Sequence, residues 1–184
     1  VESTLSVWNS KLGVAGEELG RARQHLVARL EPRVNDAYGA LAGEGNPVAL
    51  GYEPAWLVAG LQRELEASKT DELRRGTTLV GPHRDELEIS LATMPARTHA
   101  SQGEQRTMAL ALRIAGHHEV ADVVGTSPVL LLDDVFSELD DSRAEALLGL
   151  LVADQTMVTT AAGAPPVDGP IQHFVVRDGA IFAG

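Results

Sequence analysis

The sequence feature that most restricts the fold is a run of four apolar residues, Val129 to Leu132, that ends in two adjacent aspartates, Asp133 and Asp134. An uninterrupted apolar run of this kind, bounded by Pro128, is typical of a central parallel strand buried on both faces. Short apolar runs alternate here with a helix-length segment, so the region predicts an α/β fold. In such sheets ligands bind at the carboxyl ends of the strands, where the two carboxylates stand.

A second pattern covers the first forty or so residues and predicts a long helix. Apolar side chains recur in steps of three and four, the heptad seam of a helix that packs against a partner helix: Leu5, Trp8, Leu12, Ala15, Leu19, Ala22 and Leu26, continued by Leu30, Val34, Ala37 and Leu41. We expect Pro32 to break or kink the helix into two pieces, because proline lacks an amide hydrogen. Gly13, Gly16 and Gly20 should each weaken its first half by about 1 kcal/mol relative to alanine.

The remaining elements are predicted to be short. A strand is expected at 48–52, followed by a helix that opens at Glu53-Pro54, buries Leu57, Leu61, Leu65 and Leu73, and ends at Gly76. Farther along, the patterns predict helices at 102–120 and 144–151, a strand at 156–160, a loop at 161–170, and a hairpin of strands 173–176 and 180–182 around Arg177-Asp178-Gly179.

Composition narrows the class of protein. The 184 residues are 44% hydrophobic and 22% charged, the balance of a globular chain. No apolar run approaches the ~18 residues that a membrane helix needs, so we expect no membrane partner. The absence of cysteine excludes disulfides, thiolate nucleophiles and cysteine-based zinc sites, and it fits a cytoplasmic location. A formal net charge of −11 opposes nucleic-acid binding unless the cations are clustered.

The first candidate site lies at the start of the helix predicted at 102–120. Ser101 and Glu104 have the spacing of a capping box, which by itself indicates only a well-capped helix. Gly103, between them, also allows another group to approach the backbone at the positive end of the helix dipole, where phosphate binds. For this motif alone both interpretations stay open.

The two aspartates and the segment after them form the second candidate site. Successive side chains on a strand point in nearly opposite directions, so one carboxylate can reach Mg²⁺ while its neighbour orients a water. Taken alone they are an acidic turn after a core strand, and Ser137-Glu138-Leu139-Asp140 is a turn and N-cap before the next helix. The ordered series of glycine-bearing helix start, apolar strand ending in acids, and Ser-x-Leu-Asp favours a functional site.

In this order the motifs resemble the signature motif, Walker B strand and D-loop in the carboxyl-terminal half of an ABC-type ATPase head. The closer resemblance is to the RecF family of bacterial recombination and repair ATPases, related to the SMC group. It is carried by residues 71–85, 101–107, 130–140 and 155–160. The Gly-Pro-His-Arg-Asp run at 81–85 is the most discriminating, because transporter ATPases lack it.

The implied fold is α/β: half of a P-loop ATPase head, with a parallel sheet and flanking helices, joined to a helical arm. Residues 1–75 would form the arm, with a short strand near 48–52, and residues 76–184 the head portion. The resemblance implies that the signature residues contact the γ-phosphate of ATP held by a second subunit, so that homodimerisation depends on ATP: Ser101, Gln102, Gly103, Glu104 and Gln105.

The resemblance also implies roles around the two aspartates. Asp133 corresponds to the Walker B aspartate that supports Mg²⁺, and Asp134 to the catalytic carboxylate, which is Glu in many ABC ATPases. Because Asp is shorter by one methylene, we expect slow ATP hydrolysis by an intact parent. The D-loop positions are Ser137 and Asp140, and two threonines follow the strand where many relatives carry a switch histidine: Thr159 and Thr160.

One family element is missing from the sequence. The phosphate loop G-x-x-x-x-G-K-[ST] is absent, and neither Lys11 nor Lys69 lies in such a context. We therefore expect a natural or proteolytic fragment of a longer protein, inactive alone and without useful affinity for ATP.

Several cationic side chains have no role derived from the sequence. His83 and Arg84 fit either a structural turn with a buried ion pair to Asp85 or a functional contact, and His117 and His118 are expected on the solvated side of a helix end. The DNA-contacting surface stays unknown. One candidate set forms no single stripe and favours a solvated helix face: Arg21, Arg23, Arg29 and Arg33. A second set is Arg74, Arg75 and Arg84.

The function implied by the resemblance is part of a DNA repair, replication and SOS-response ATPase. Its parent would bind ATP and Mg²⁺, dimerise, and engage junctions of single- and double-stranded DNA with the partners RecO and RecR. Two alternatives are kept: a helical interaction fragment with catalytically inert motifs, and a transporter-type nucleotide-binding subunit. The heptad seam, the Gly-Pro-His-Arg-Asp run and the missing switch histidine disfavour the transporter.

Overall fold

One long helix organises the structure. The computed structural model describes residues 2–43, 45–161, 167 and 170–184. Helix α1 runs without interruption from Glu2 to Ala42, so the expected break at Pro32 is wrong. Pro32 lies at an exposed position, and the turns after it are anchored by buried Val34, Tyr38 and Leu41. The burial of this last part of α1 outweighs the loss of one backbone hydrogen bond at the proline.

A small antiparallel sheet follows α1 in the fold. Strand β1, Val48–Gly51, pairs with β2, Glu88–Leu91, which pairs in turn with β3, Met94–Pro95. β1 was expected, whereas β2 and β3 were not predicted. On its other side β1 lies against α1. The amide of Val48 donates a hydrogen bond to the Asn35 side chain at 3.0 Å, and the amide of Leu50 donates to the Glu31 carboxylate at 3.3 Å. These contacts satisfy the edge of β1 that has no strand partner in the described chain.

The helix expected after Glu53-Pro54 is divided into two. α2, Ala55–Ala59, ends at Gly60, whose φ of 93° is incompatible with helix, and α3 runs from Leu61 to Arg75. Gly76 caps α3 in the left-handed conformation, as predicted. Leu61 and Leu65 are fully buried, but the expectation that Leu73 is buried is wrong, because it is 43% exposed.

The second half of the chain alternates helices and strands. α4, Ala96–His99, precedes α5, Gln102–Val124, and β4, Leu130–Asp133, leads into a 3₁₀ turn, Val135–Glu138. α6, Asp141–Leu150, connects to β5, Thr156–Thr159, which pairs with β4 in parallel. The α/β fold with a parallel pair is therefore confirmed. Burial of β4 on both faces is wrong: Leu132 is buried but Leu131 is 69% exposed, because no described element covers that side.

A two-stranded hairpin closes the chain. β6, Phe174–Arg177, pairs antiparallel with β7, Ala180–Ala183. Asp178 and Gly179 between them have φ of 50° and 74°, so the expected two-residue turn is confirmed. The loop predicted at 161–170 lies mostly outside the described residues.

The hydrophobic core shows which face of α1 packs against the rest of the protein. A large cluster joins the end of α1 to β1, α5 and α6, with Ala111 and Leu147 fully buried, and a smaller one lies beneath the first half of α1 around Trp56 and Leu61. The expected seam is not the packing face in that half, where Trp8, Leu19 and Leu26 are 62%, 45% and 42% exposed. The buried stripe is instead Asn9, Gly13, Gly16 and Gly20.

Glycine explains this rotation of the packing face. A Cβ placed on Gly16 would lie 2.3 Å from Leu61 Cδ2, and one on Gly20 would lie 2.4 Å from Trp56 Cη2. α1 therefore approaches α2 and α3 more closely than any side chain would allow, and the glycines are packing positions and not simply weak points. Among the described residues, no helix combines the length and apolarity needed to cross a bilayer.

Candidate functional site

The carboxyl ends of β4 and β5 bring three sequence-predicted residues together. Asp133 lies opposite Thr159 in the parallel register, and the Thr159 hydroxyl donates a hydrogen bond to the Asp133 carboxylate. The amide of Asp134 donates to the Thr159 carbonyl at 3.0 Å and to its hydroxyl oxygen at 3.1 Å. We call Asp133, Asp134 and Thr159 the carboxylate edge. All three are exposed, so a ligand can reach them.

Asp134 has an unusual backbone conformation. Its φ of 53° and ψ of 22° are left-handed, a region that few residues other than glycine, asparagine and aspartate adopt. This residue turns the chain out of β4 and into the 3₁₀ turn, where the Ser137 hydroxyl donates to the Asp134 carbonyl at 2.8 Å. Left-handed non-glycine residues occur often at functional sites, where the surrounding structure holds them in place.

The start of α5 has the expected capping box. The Ser101 hydroxyl accepts from the amide of Glu104 at 3.3 Å, and the Glu104 carboxylate accepts from the amide of Ser101 at 2.7 Å. These hydrogen bonds, the side-chain one first, hold the pKa of Glu104 below its ordinary value of 4.5. Because the folded pKa is lowered, the cap stabilises the helix at neutral pH and is lost as the pH falls through that lowered pKa.

Gly103 is not required by the fold. Its φ is not positive, and a Cβ built on it meets nothing within 4 Å. The residue is exposed in the first turn of α5, where free amides and the helix dipole favour an anion. Internal packing therefore does not explain a glycine here, and the exposed backbone is open to the approach of an external group.

The start of α5 and the 3₁₀ turn after β4 lie side by side. Arg106, in the second turn of α5, pairs with Glu138 of the 3₁₀ turn at 3.5 Å. Asp140 caps α6 through its side chain. Beneath them, burial and then the charge of Glu104 raise the pKa of Tyr38. Sequence reasoning missed Arg106, Glu138 and Tyr38, although the first two stand within the matched motif stretches and could have been tested as a pair.

Asp85 has different partners from those expected. Its carboxylate accepts from the Tyr52 hydroxyl at 2.6 Å and from Trp56 Nε1 at 2.8 Å, and Arg23 lies at 4.0 Å. Of the two interpretations left open for His83 and Arg84, the one with a buried ion pair to Asp85 is therefore wrong. Asp85 instead fastens the Gly-Pro-His-Arg-Asp loop to α1 and α2.

The adjacent histidines near the end of α5 are also not simply solvated. Both are half-buried, and Nε2 of His117 and of His118 donates at 3.0 Å to the carbonyls of Val152 and Leu150. These carbonyls stand at and just beyond the end of α6, where a helix leaves acceptors unsatisfied. The pair joins α5 to the end of α6, so the expectation of a solvated position is wrong.

The arginines of α1 are engaged in the fold. Arg29 and Arg33 both pair with buried Glu119 of α5, and Arg33 also contacts Asp122 at 2.6 Å. Arg21 pairs with Glu17. Together with the Arg23 contact to Asp85, these bonds replace the expected solvated face with a set of structural links.

The carboxylate edge does not form a metal cage by itself. In the part of the chain that the structure describes, no group of three or more His, Cys, Asp or Glu side chains converges as a metal site. Mg²⁺ in nucleotide-binding proteins usually takes only one or two carboxylates and completes its shell with phosphate oxygens and water. Exposed Asp133, fixed by Thr159, fits that pattern.

Known RecF proteins resemble this chain over almost its whole length. No family model matches the chain. The DNA replication and repair protein RecF of Streptomyces avermitilis is 40% identical over 190 residues, which cover 97% of this chain and 51% of that protein. The chain thus spans about half the length of this curated relative.

Solved structures give the same result. Structures of the recombination mediator protein RecF in the RecFOR pathway, described as RecF-ATPrS and RecF-ATP, share 27% identity with the chain, at TM-scores of 0.83 and 0.82. The matched regions cover 100% and 98% of this chain, but only 51% and 50% of the two RecF chains. The α/β fold, the ordered motifs and the identity together make this chain similar to about half of a RecF protein.

Proposed function

We propose that this chain supplies half of the ATP-processing machinery of a RecF-type DNA repair ATPase. The signature residues 101–105 would contact ATP held by a second subunit, and Asp133 and Asp134 would serve ATP bound to the subunit's own phosphate loop. That loop is absent from the sequence. The activity therefore belongs to a larger assembly, and we expect this chain alone to bind ATP only negligibly.

The observation that carries the proposal is the carboxylate edge. The hydrogen bond from Thr159 fixes Asp133 across the strand pair, and the left-handed backbone of Asp134 places a second carboxylate just beyond the strand. Fixed, exposed carboxylates at the end of parallel strands match what phosphoryl transfer requires, since catalysis there depends on positioning and charge.

Three residues of this chain fit roles in the binding and hydrolysis of Mg-ATP: Asp133, Asp134 and Gly103. Asp133 would hold the metal, which when bound neutralises charge on phosphate oxygens. Asp134 would accept a proton from, or orient, the attacking water, and its short side chain predicts slow turnover. Gly103, without a packing role, supports close approach of a γ-phosphate to the first turn of α5.

The D-loop segment, which contains Ser137 and Asp140, would transmit the conformational state of one ATP site of the dimer to the other. Arg106 and Glu138 tie the start of α5 to this segment at 3.5 Å, so movement of the signature residues would be transmitted to Ser137 and Asp140. We propose that ATP-dependent homodimerisation uses this face, and that Thr159 and Thr160 take the place of a switch histidine.

DNA and the mediators RecO and RecR are proposed partners of the whole protein. The solved relatives are described as recombination mediators of the RecFOR pathway. We also propose that residues 1–75 act as an arm and residues 76–184 as head. Because β1 pairs with β2 and α1 packs on α5, both portions share one core, and we expect them to unfold together.

Titration calorimetry tests the nucleotide proposal. The chain is titrated with Mg-ATP alone and after mixing with the part of the Streptomyces avermitilis RecF to which it does not align. We expect negligible heat for the chain alone and saturable binding that exceeds the sum of the separate components for the mixture. Micromolar binding by this chain alone, or no gain on mixing, would contradict the proposal.

One observation favours the alternative of a helical interaction module. The seam residues Trp8, Leu19 and Leu26 remain exposed on α1 and offer an apolar face to another helix. Replacement of Leu19 and Leu26 by serine separates the two functions. If the chain is only an interaction module, this variant loses all association with the complementary half, whereas Asp134→Asn leaves both association and function unchanged.

A further inference from the structure

The loop that carries the Gly-Pro-His-Arg-Asp run forms a cationic surface that the proposed ATP site does not use. Residues 74–84 contain three arginines, one histidine and no acidic residue, in a chain whose net charge is −11. Such a local excess of cations is what phosphate binding requires in an otherwise acidic protein. Binding of phosphate also requires that these side chains be held in place and not already paired with carboxylates.

The loop is anchored from three directions. The amide of Leu79 donates to buried Glu72 of α3 at 2.7 Å, and Arg23 of α1 donates to the Pro82 carbonyl at 2.6 Å. Asp85 provides the third anchor through Tyr52 and Trp56. Gly81 and Pro82 are buried, so the backbone of the loop is part of the packed structure.

The anchors leave His83 and Arg84 facing outward. Both are exposed and both bond the Thr78 carbonyl, His83 through Nε2 at 3.2 Å and Arg84 through Nη2 at 3.1 Å and Nε at 3.3 Å. Sharing one acceptor holds the two side chains side by side. A guanidinium has five N–H donors, so Arg84 keeps donors for a ligand.

Charge pairing distinguishes this set from the arginines of α1. Arg21, Arg23, Arg29 and Arg33 each have a carboxylate partner, as described above, and Arg74 pairs with Asp71 at 2.8 Å. Across residues 2–43, 45–161, 167 and 170–184, no carboxylate lies within 4.0 Å of Arg75, His83 or Arg84. The positive charge of Arg75 and Arg84 is therefore not neutralised by an ion pair within the described protein.

We propose that Arg75, His83 and Arg84, the cationic loop surface, bind the phosphodiester backbone of DNA. The inference rests on the proposed function for the identity of the polyanion and adds the surface that meets it. Phosphate contacts of this kind carry no sequence information, so binding is expected to be sequence-independent and strongly dependent on salt. Free phosphate offers the same chemistry, and the experiment distinguishes the two sources.

Fluorescence anisotropy with a labelled duplex that ends in a single-stranded overhang tests the proposal on this chain. Binding is measured between about 20 and 200 mM salt, and each phosphate contact contributes about −0.9 to the slope of log K against log salt. We expect Arg84→Ala to bind more weakly at low salt and to make the slope shallower by about 0.9, while Arg84→Lys retains the slope. Arg97→Ala and Arg113→Ala are the controls, because both arginines are exposed and without an ion pair in the described structure.

The source of the phosphate is settled by amide chemical shifts. DNA is expected to perturb residues 75–84, whereas inorganic phosphate or ATP at equal phosphate concentration leaves them unchanged. Equal weakening by Arg97→Ala, an unchanged slope in Arg84→Ala, the same perturbation by free phosphate, or no DNA binding at low salt would each overturn the proposal. The ATP proposal is tested separately, since Arg84→Ala should leave ATP binding by the mixed halves intact.

Discussion

At the residue scale, substitution of Gly103 is expected to affect stability and ATP hydrolysis in opposite directions. Alanine there meets no neighbour and removes the entropic cost of glycine, so we expect Gly103→Ala to stabilise the chain by about 0.5–1 kcal/mol. The added methyl would also obstruct close approach of a phosphate to the first turn of α5. The mixture of complementary halves should therefore lose ATP hydrolysis while thermal denaturation shows a more stable chain.

Gly116 is the matched control for this variant. It lies in the same helix, and a Cβ there also meets nothing within 4 Å. Gly116→Ala should stabilise the chain by a similar amount and leave hydrolysis unchanged. A destabilised Gly103→Ala variant, or one with normal hydrolysis, would show that the glycine serves the fold or that no phosphate approaches it.

Thr159 is expected to position the carboxylate edge through its hydroxyl. Thr159→Val keeps the branched shape but removes the donor to Asp133, which should cost about 1 kcal/mol in urea denaturation and lower hydrolysis by the mixed halves. Thr159→Ser retains the donor and should preserve hydrolysis. Thr156→Val, at an exposed position of the same strand, should change stability by less than about 0.5 kcal/mol. Equal effects of Val and Ser at position 159 would contradict this role.

At the scale of elements, α1 approaches α3 closely. Two glycine-to-alanine substitutions in α1 are therefore expected to change the free energy of unfolding in opposite directions. Gly16→Ala would place a methyl 2.3 Å from fully buried Leu61 and 3.3 Å from Pro82, and overpacking should destabilise the fold by about 1–3 kcal/mol. Gly39→Ala in the same helix meets nothing and should stabilise it by up to about 1 kcal/mol. Urea denaturation measures both, and two changes of the same sign would show that packing does not decide the outcome.

The junction of α1 and α5 depends on a buried carboxylate. Glu119 is almost fully buried and receives both Arg29 and Arg33. Glu119→Gln should destabilise the chain by about 1–3 kcal/mol, less than a fully buried pair because the arginines remain partly exposed. The exposed pair of Arg21 with Glu17 is the control, and its removal by Arg21→Ala should cost less than about 0.5 kcal/mol. Similar losses in the two variants would rule out a special role for Glu119.

Local patterns predicted the elements well and their packing poorly. The capping box at Ser101, the left-handed cap at Gly76 and the Asp178-Gly179 turn each depend on a few adjacent residues, and all three are confirmed. The packing face of α1 depends on Leu61 and Trp56, which are distant in sequence. Periodicity could therefore find the heptad seam but not its rotation toward the glycines.

The same contrast holds for the candidate site. The order of motifs located residues 101–105 and 133–140, and the structure shows the hydrogen bonds that fix them. The partners of Asp85 lie 29 and 33 residues away, and those of His117 and His118 lie more than 30 away, so no spacing rule could supply them. The roles of these residues follow from tertiary contacts only.

At the scale of the whole molecule, the exposed apolar surface agrees with a chain that works in a larger assembly. Large apolar residues are uncovered on the parallel strands and on the hairpin: Leu131, Met157, Phe174, Val176, Ile181 and Phe182. Such surfaces mark contacts with other protein. We expect the portion of a RecF-type protein that this chain does not span to cover them and to supply the phosphate loop.

The most direct test of the central claim is ATP hydrolysis by this chain mixed with the complementary part of the Streptomyces avermitilis RecF. We predict slow, Mg²⁺-dependent hydrolysis that neither part shows alone. Asp134→Asn, which tolerates the left-handed backbone, should lower the rate at least about 100-fold without loss of association. A mixture without hydrolysis, or an Asp134→Asn mixture as active as the original, would contradict the account.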